Sequence, residues 1–488
     1  MRRTSFPWLT LICVSYLVDP ASAEVPQAPP PAKIINGQQW KIVDDGQFVD
    51  VEGDVLRLRF AYGGKGSAGW FKGGGGQDFS IVELYYKPTS PTRNLIFRNG
   101  AWGGKMDALD YWEAEPIARN GTEHNTPDFA TTTDAQLVSH HIRQSAGRLI
   151  AEADFRFKAW QIKRTYIIYP WGDITVHAQL KLVDESRWNY LGHRFHFGVS
   201  RYRLDSPRKV DWGANYQDDG DVYYAWSDVY GPAGKFKDQE PFVYKQQIRA
   251  NVNTNTAISL HKRQDPFSGF MIDDRNGNDP DIVVINGDKA TWLSPFDQIS
   301  RRIGGVNYVE TGMYTPPWHK QALTHADCCW FYATIKPPAY DRPMLWKTEL
   351  GTWNESFHLF FRQGLEPEHY LPLWRAHSRD LEQQKPQNVT GAKAELNEVD
   401  RLYHLVAQPG ARTIRFNWER TSEASGAVDY RTAFLIENIG KVLAVKVDGK
   451  MMPPVECYCD VAQRTALLVF AGPQPAEPQA TLVTVETE

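Results

Sequence analysis

One stretch of the sequence places a tyrosine, an arginine and a histidine where they could act on the same substrate. Residue types alternate along Tyr190–Ser200, which is typical of a β-strand with successive side chains on opposite faces. Tyr190, Arg194 and His196 then share one face. Arginine can neutralise a uronic acid carboxylate and so acidify the proton at C5, histidine or tyrosine can remove that proton, and tyrosine can protonate the leaving oxygen. The trio favours β-elimination at an acidic sugar, and the alternative is a solvated sheet face.

A second cluster, which contains two prolines, offers a further acid or base. The segment Tyr314–Lys320 is unusual for a protein core, and Trp318 would stack on a sugar ring while His319 or Lys320 acts as acid or base. We predict His319 as a fourth catalytic residue. The alternative is a packed surface loop. The predicted substrate-binding residues are Trp102, Trp212, Tyr224, Trp226, Tyr314, Trp318 and Lys320.

A short acidic run suggests a possible cation. Asp274, Asn276 and Asn278 supply hard oxygen ligands of the kind that Ca²⁺ prefers. The run does not fit the spacing of an EF-hand loop, and an Asx-rich hairpin turn is the alternative. If Ca²⁺ binds there, it could neutralise the substrate carboxylate, which is compatible with elimination.

Other catalytic motifs are absent or incomplete. The sequence has no G-x-S-x-G elbow and no H-E-x-x-H motif, and its glycine clusters do not match a phosphate-binding loop. Asp110, Glu113 and Glu115 around Trp112 are carboxylates that could serve glycoside hydrolysis, which needs two of them across a cleft. Hydrolysis therefore stays open as an alternative.

Composition and charge exclude some classes of protein. The chain has 488 residues and a formal net charge of −4, and 13% of its residues are aromatic. A near-neutral balance argues against sequence-independent binding of nucleic acid, which needs a basic face. The aromatic residues suit sugar stacking, although most are expected to fill the interior of β-sheets.

The N-terminus predicts export. Residues 1–23 have the basic start, apolar core and small-residue cleavage site of a signal peptide, and residues 24–34 form a Pro-rich leader that we expect outside the fold. No later segment is long and apolar enough for a membrane span, so we expect a soluble protein of the periplasm or extracellular space. The cysteines left after cleavage are Cys328–Cys329 and Cys457–Cys459. They are expected as buried thiols or as a disulfide between the two pairs, and a zinc site is a further alternative, although neither pair has the usual spacing.

Period-2 alternation dominates the chain and predicts an all-β protein. Residues 35–365 read as one large antiparallel domain, and residues 394–488 as a small C-terminal β-sandwich. Between them, apolar residues recur at helical spacing in Glu366–Gln384, which predicts a linking helix, with the linker reaching residue 393.

The hairpin sequence Arg164–Val176, of the form R-x-Y-x-x-Y…G-x-I-x-V, together with Tyr190–Arg194, resembles the galactose-mutarotase-like superfamily. The resemblance implies a β-supersandwich of the kind found in aldose epimerases and polysaccharide lyases, followed by a linking helix and a small sandwich. The chain lacks the Asn-His pair that epimerases carry ahead of an aromatic-Asn-Leu segment, which argues against simple mutarotase activity.

These observations together predict an exported polysaccharide lyase that cleaves a uronic-acid-containing glycan by β-elimination. The alternatives are a glycoside hydrolase or sugar epimerase on the same scaffold, and a non-catalytic glycan-binding protein. A polysaccharide is the expected partner in each case.

Overall fold

Every regular element that the structure describes is a β-strand, which confirms the predicted all-β class. The computed structural model describes residues 32–62, 78–96, 108–116, 130–131, 135–157, 160–183, 188–198, 222–227, 242–247, 269–273, 280–286, 291–293, 328–335, 352–364, 385–419, 431–448, 455–470 and 480–488. The predicted helix Glu366–Gln384 lies outside the described residues.

The 28 described strands follow one another along the chain. Their bounds are β1 Lys33–Asn36, β2 Lys41–Asp44, β3 Phe48–Glu52, β4 Leu56–Ala61, β5 Ser80–Tyr86, β6 Asp110–Pro116, β7 Ala130–Thr131, β8 Gln136–Ser145, β9 Arg148–Phe157, β10 Trp160–Ile168, β11 Ile174–Leu182, β12 Trp188–Gly198, β13 Val222–Ser227, β14 Phe242–Gln247, β15 Gly269–Asp273, β16 Asp281–Asn286, β17 Thr291–Leu293, β18 Cys328–Ile335, β19 Thr352–Arg362, β20 Gln387–Thr390, β21 Ala392–Leu396, β22 Tyr403–Ala407, β23 Thr413–Glu419, β24 Thr432–Glu437, β25 Val442–Asp448, β26 Val455–Asp460, β27 Thr465–Phe470 and β28 Ala480–Thr487.

Three antiparallel sheets form the large N-terminal part of the fold. The first has nine strands in the order β14-β13-β15-β16-β19-β11-β10-β9-β8, the second has five in the order β17-β18-β12-β6-β7, and the third has four in the order β2-β3-β4-β5. Trp112 of β6 packs on Phe155 of β9 with ring centroids 5.8 Å apart, so the five-stranded and nine-stranded sheets face each other across one core. Phe60 of β4 packs on Tyr166 of β10 in the same core.

The hairpin β10–β11 lies inside the large sheet, between β19 and β9. Its turn is closed by a backbone hydrogen bond from Tyr169 to Asp173, and the indole N–H of Trp171 donates to the Asp173 carboxylate at 2.7 Å. Gly172 has a φ of +101°, a conformation that residues with a Cβ rarely adopt. The Pro-Trp-Gly-Asp turn is therefore confirmed, together with the physical reason for its glycine.

The C-terminal part is a second sandwich with a core of its own. A six-stranded sheet, β1-β26-β27-β24-β22-β21, faces a four-stranded sheet, β20-β23-β28-β25. Trp418 lies between them, with its ring centroid 5.6 Å from that of Phe434 and 4.7 Å from that of Phe470. Cys457 and Cys459 are free, buried thiols in this core, and their sulfurs are 3.6 Å apart.

Two strands lie within segments predicted as the leader and the linker. Lys33 and Ile34 belong to β1, which pairs in parallel with β26 of the C-terminal sheet. Residues 387–390 form β20, and residues 392 and 393 begin β21. β1 and β20 have four residues each, and β1 pairs with a strand more than 400 residues away, so local alternation gives little sign of them. The predicted domain limits stay predictions.

Among the described residues, no helix has the length and apolar character needed to cross a membrane.

Candidate functional site

The strand that carries the predicted catalytic residues lies in the middle of the five-stranded sheet, with β6 on one side and β18 on the other. Arg194 is directly opposite Tyr111 of β6 and Tyr332 of β18, so one row of the ladder reads Tyr-Arg-Tyr across three strands. His196, two residues along β12, is opposite Trp330. Directly opposite residues of an antiparallel pair occupy the same face of the sheet, with Cα atoms about 4.5–5.5 Å apart.

Tyr190 lies four residues before Arg194 on β12 and therefore on the same face of the strand. It is opposite Glu115 of β6, and the next row pairs Gly192 with Glu113 and Thr334. The glycine row separates the tyrosine from the Tyr-Arg-Tyr row. We call the positions 111, 113, 115, 190, 194, 196, 330 and 332 the β12 face.

The positions of β6 that alternate with the β12 face include residues of the core. The side chains of Asp110 and Trp112 are 0% and 1% exposed and belong to the core of the large sandwich. Their partners in the ladder are Phe195 and His193, which therefore hold core-side positions. The predicted trio alternates with these positions.

Beneath β6, a buried group of charged and polar side chains ties this sheet to the large one. Arg164 of β10 places Nη1 3.3 Å from a carboxylate oxygen of Asp78 and 3.3 Å from one of Asp110, and it donates from Nη2 to the backbone oxygen of Asp78 at 2.7 Å. The hydroxyl of Tyr166 donates to Asp110, and that of Ser80 to Asp78. Buried charges are tolerated when they are paired in this way, so the cluster fixes β6 and the start of β5 against β10.

The electrostatics of this cluster keep Arg164 a cation and Tyr166 a neutral phenol. Burial by itself lowers the pKa of Arg164, but its interactions with Tyr166, Asp110 and Asp78 outweigh this effect, so the pKa lies above its ordinary value. Burial raises the pKa of Tyr166 well above its ordinary value, against the opposing effect of Arg164. The arginine also lies near the rings of Trp112, Phe155 and Tyr166, which adds cation–π attraction. The cluster is therefore a rigid support, in which Arg164 and Tyr166 keep their protons near neutral pH.

The contacts of this cluster exclude Asp110 as a catalytic carboxylate of a glycoside hydrolase. Asp110 is fully buried and bound to Arg164 and Tyr166, so it is unavailable to a sugar. Glu113 and Glu115 alternate with Asp110 along β6 and hold positions on the β12 face. Of the three carboxylates considered from sequence, only these two occupy one face.

The remaining predicted residues are not brought together with β12 by the described structure. Tyr224 and Trp226 are on β13 of the nine-stranded sheet, where they pair with Lys245 and Val243 of β14. The predicted residues that lie outside the described part of the chain are His319, Trp102, Trp212, Tyr314, Trp318, Lys320, Asp274, Asn276 and Asn278. The described residues contain no group of three or more side chains suited to hold a metal ion.

Tyr111, Tyr332 and Trp330 are the members of the face that sequence reasoning missed. Alternation along Asp110–Pro116 would have placed Tyr111 with the two glutamates, and Trp330 and Tyr332 alternate within the predicted strand Cys329–Ile335. Their proximity to Arg194 depends on strand pairing across gaps of roughly 80 and 140 residues, for which a single sequence gives no signal.

No protein-family model matches the chain, and no curated protein matches its sequence. Among solved structures, the chain is similar to a galactose 1-epimerase from Lactobacillus acidophilus NCFM, at 9% identity and a TM-score of 0.37 over 67% of this chain and 100% of that one. It is also similar to a heparan sulfate lyase from Pedobacter heparinus, at 10% identity and a TM-score of 0.30 over 67% and 37%. An alpha-mannosidase from Enterococcus faecalis V583 has 8% identity and a TM-score of 0.33 over 90% and 42%.

Because these identities and TM-scores are low, the fold of this chain is established by its own strands, ladders and cores.

Proposed function

We propose that this chain is an exported carbohydrate-active enzyme, a polysaccharide lyase that cleaves a uronic-acid-containing glycan by β-elimination at the β12 face. The observation that carries the proposal is the row Tyr111–Arg194–Tyr332, with His196 two residues along the central strand. A cation flanked by two phenols, with an imidazole nearby, is the set of groups that this elimination needs. The hairpin sequence resembles the galactose-mutarotase-like superfamily, which includes polysaccharide lyases, and this resemblance is compatible with the proposed class.

Each group has a definite task in the proposed reaction. Arg194 pairs with the carboxylate of the uronic acid and stabilises the negative charge that develops when the C5 proton leaves. His196 or one of the tyrosines takes that proton, and the electron pair of the C5–H bond forms the C4–C5 double bond. The bond from C4 to the glycosidic oxygen breaks, and a tyrosine hydroxyl protonates the leaving oxygen.

The spacing of the ladder suits one sugar ring. Opposite positions are about 5 Å apart across the strands and positions two residues apart are about 6.6 Å along a strand, so acid, base and arginine span about the width of a pyranose. Trp330 holds the position opposite His196, where an indole could support the sugar.

A bound Ca²⁺ would be a second way, besides Arg194, to neutralise the carboxylate of the uronic acid. Asp274, Asn276 and Asn278 would hold it in the chain between β15 and β16, which pair as antiparallel neighbours.

A glycoside hydrolase is the second candidate, because Glu113 and Glu115 hold positions on the same face. Their Cα atoms are about 6.6 Å apart along the strand, so their carboxyl groups can reach the separation of roughly 5–10 Å that hydrolysis needs. Glu115 is also opposite Tyr190.

The test is an incubation of the protein with a panel of uronate-rich polysaccharides, followed by two readouts in parallel, each with Ca²⁺ and with a chelator. A lyase produces an unsaturated sugar, so ultraviolet absorbance and reducing ends rise together. A hydrolase raises reducing ends alone, which would contradict the proposed elimination. Retention on a glycan column without either signal would indicate a binding protein, and would contradict both enzymatic candidates.

A further inference from the structure

Two cysteines of the C-terminal core lie side by side on one strand. Cys457 and Cys459 are two residues apart on β26, so alternation places both side chains on the same face, toward the core of the small sandwich. Their sulfurs are 3.6 Å apart and share a hydrogen bond. Neither the proposed elimination nor the hydrolysis alternative uses these two thiols.

The separation of the two residues is compatible with a disulfide. Positions two apart on a strand have Cα atoms about 6.6 Å apart, inside the range of roughly 4.4–6.8 Å that disulfides span. The sulfurs already face each other, so bond formation needs side-chain rotation and a small adjustment of the backbone. Cys328 and Cys329 are on β18 of the five-stranded sheet, so a bond between the two pairs would have to join the two sandwiches.

The two thiols differ in how a reagent can reach them. Cys457 is 0% exposed and Cys459 is 5% exposed. In the ladders, Cys459 is opposite Asn36, an exposed residue at the end of β1, and opposite the small residue Ala466 of β27. β1 is the edge strand of its sheet and its four residues are exposed or half-buried, so it can open locally at a low free energy. Cys459 is therefore the thiol that a reagent meets first.

The acidity of the two thiols differs in the same direction. The hydrogen bond with Cys459, together with burial, raises the pKa of Cys457 well above its ordinary value. The hydrogen bond from Cys457 lowers the pKa of Cys459, against the opposing effect of burial. Because the thiolate is the nucleophile, Cys459 is the more reactive of the two.

We propose that Cys457 and Cys459 are a redox couple that closes to a disulfide within β26, with Cys459 as the attacking thiol and an external disulfide as the oxidant. Because the bond closes inside one strand, β26 keeps its neighbours β1 and β27. The predicted export would bring the chain to an oxidising compartment, where disulfides form and persist. The couple is independent of the proposed lyase activity.

The reaction is a thiol–disulfide exchange in two steps. The thiolate of Cys459 attacks one sulfur of the external disulfide, forms a mixed disulfide and releases the first thiol. Cys457 then gives up its proton and attacks Sγ of Cys459, which closes the new bond and releases the second thiol. The two cysteines lose two electrons and two protons, and the oxidant is reduced to two thiols.

Mass spectrometry of the full chain tests the couple. The reduced, folded protein is incubated with glutathione disulfide, then alkylated in denaturant and digested, and the peptide that contains residues 457 and 459 is weighed. We expect this peptide to lose the mass of two hydrogen atoms and to accept the alkylating reagent only after reduction. Two alkylated thiols in this peptide, or a cross-link to Cys328 or Cys329, would overturn the proposal.

Single substitutions test the order of attack. Cys457→Ser leaves the attacking thiol without its partner, so we expect a stable glutathione adduct on Cys459. Under the same conditions Cys459→Ser should leave the buried thiol of Cys457 unmodified. An adduct on Cys457 in the second variant without one on Cys459 in the first would overturn the assignment. The matched control is the double variant Cys328→Ser/Cys329→Ser, in which the loss of two hydrogen atoms at residues 457 and 459 should be unchanged.

If the single variants do not fold, brief alkylation of the reduced wild-type protein gives the same information. We expect the thiol of Cys459 to be modified faster than that of Cys457. Equal rates, or faster modification of Cys457, would overturn the assigned order of attack.

Discussion

At the residue scale, Arg164 shows how a buried charge can be structural. It lies in the R-x-Y pattern of the β10–β11 hairpin, which the sequence resemblance includes, and its guanidinium joins Asp78 and Asp110 in a fully buried core. Pairing and cation–π contacts replace the lost hydration. The same residue type thus has two different tasks in this fold, support at Arg164 and proposed substrate binding at Arg194.

Substitution of Arg164 by methionine should destabilise the protein by about 3–5 kcal/mol, because Asp78 and Asp110 would remain buried without their cation. Urea unfolding measures the change. The matched control is Arg143→Met, since Arg143 is 38% exposed, its ion pair with Glu152 is 3.8 Å long, and an exposed pair contributes about 0–1 kcal/mol. Equal losses in the two variants would contradict a supporting role for the buried cluster.

Arg194→Ala and His196→Ala should each abolish turnover of the substrate polymer while the fold stays intact. Loss of a positioned acid or base usually costs about 10²–10⁴ in rate, and loss of the carboxylate partner should be at least as severe. Initial rates and circular dichroism measure the two properties. Arg156→Ala, at an exposed position of β9, is the control and should keep full activity. Full activity in both β12 variants would exclude the proposed centre.

The roles of Tyr111 and Tyr332, which are opposite Arg194, can be distinguished by removing one hydroxyl group at a time. If one of them protonates the leaving oxygen, Tyr111→Phe or Tyr332→Phe should lower kcat by about 10²–10⁴ with little change in KM, because the ring remains. Steady-state kinetics on both variants would assign the role. Unchanged kcat in both would show that the Tyr-Arg-Tyr row takes no part in proton transfer.

At the element scale, strands with strict alternation were predictable and short strands with distant partners were not. The sequence of Ile174–Leu182 alternates strictly between apolar and polar residues after the Pro-Trp-Gly-Asp turn, and it forms β11 with the same bounds. By contrast, β1 and β20 have four residues each, and β1 pairs with a strand more than 400 residues away. The face of the candidate site was partly predictable: alternation gave Tyr190, Arg194 and His196, whereas Tyr111, Trp330 and Tyr332 required the register.

The turn between β10 and β11 depends on Gly172 for two reasons, its φ of +101° and the nearby Val55, whose Cγ1 is 2.8 Å from the position of an added Cβ. Gly172→Ala should therefore destabilise the protein by about 1–3 kcal/mol through strain, plus the cost of displacing Val55. Gly410→Ala is the control, since Gly410 has a φ of +76° but open space around its Cα. Urea unfolding should show the larger loss for Gly172→Ala, and a smaller loss there would contradict the packing argument.

At the scale of the whole molecule, each of the two sandwiches has its own aromatic core, and an ion pair joins them. Trp112 and Trp160 fill the large core and Trp418 fills the small one, so much of the aromatic content serves packing, as the sequence predicts. The ion pair between Arg148 and Asp400 joins the two parts, and the N-terminal strand β1 completes the C-terminal sheet. The second sandwich is therefore an integral part of the fold that supports the β12 face.

The most direct test of the proposed elimination compares the wild-type protein with Arg194→Ala on the polysaccharide that the wild type degrades. We expect wild-type digestion to generate ultraviolet absorbance in proportion to the number of chains cut, and the variant to generate neither. Chain cutting by the wild type without that absorbance, or undiminished absorbance with Arg194→Ala, would contradict elimination at the β12 face.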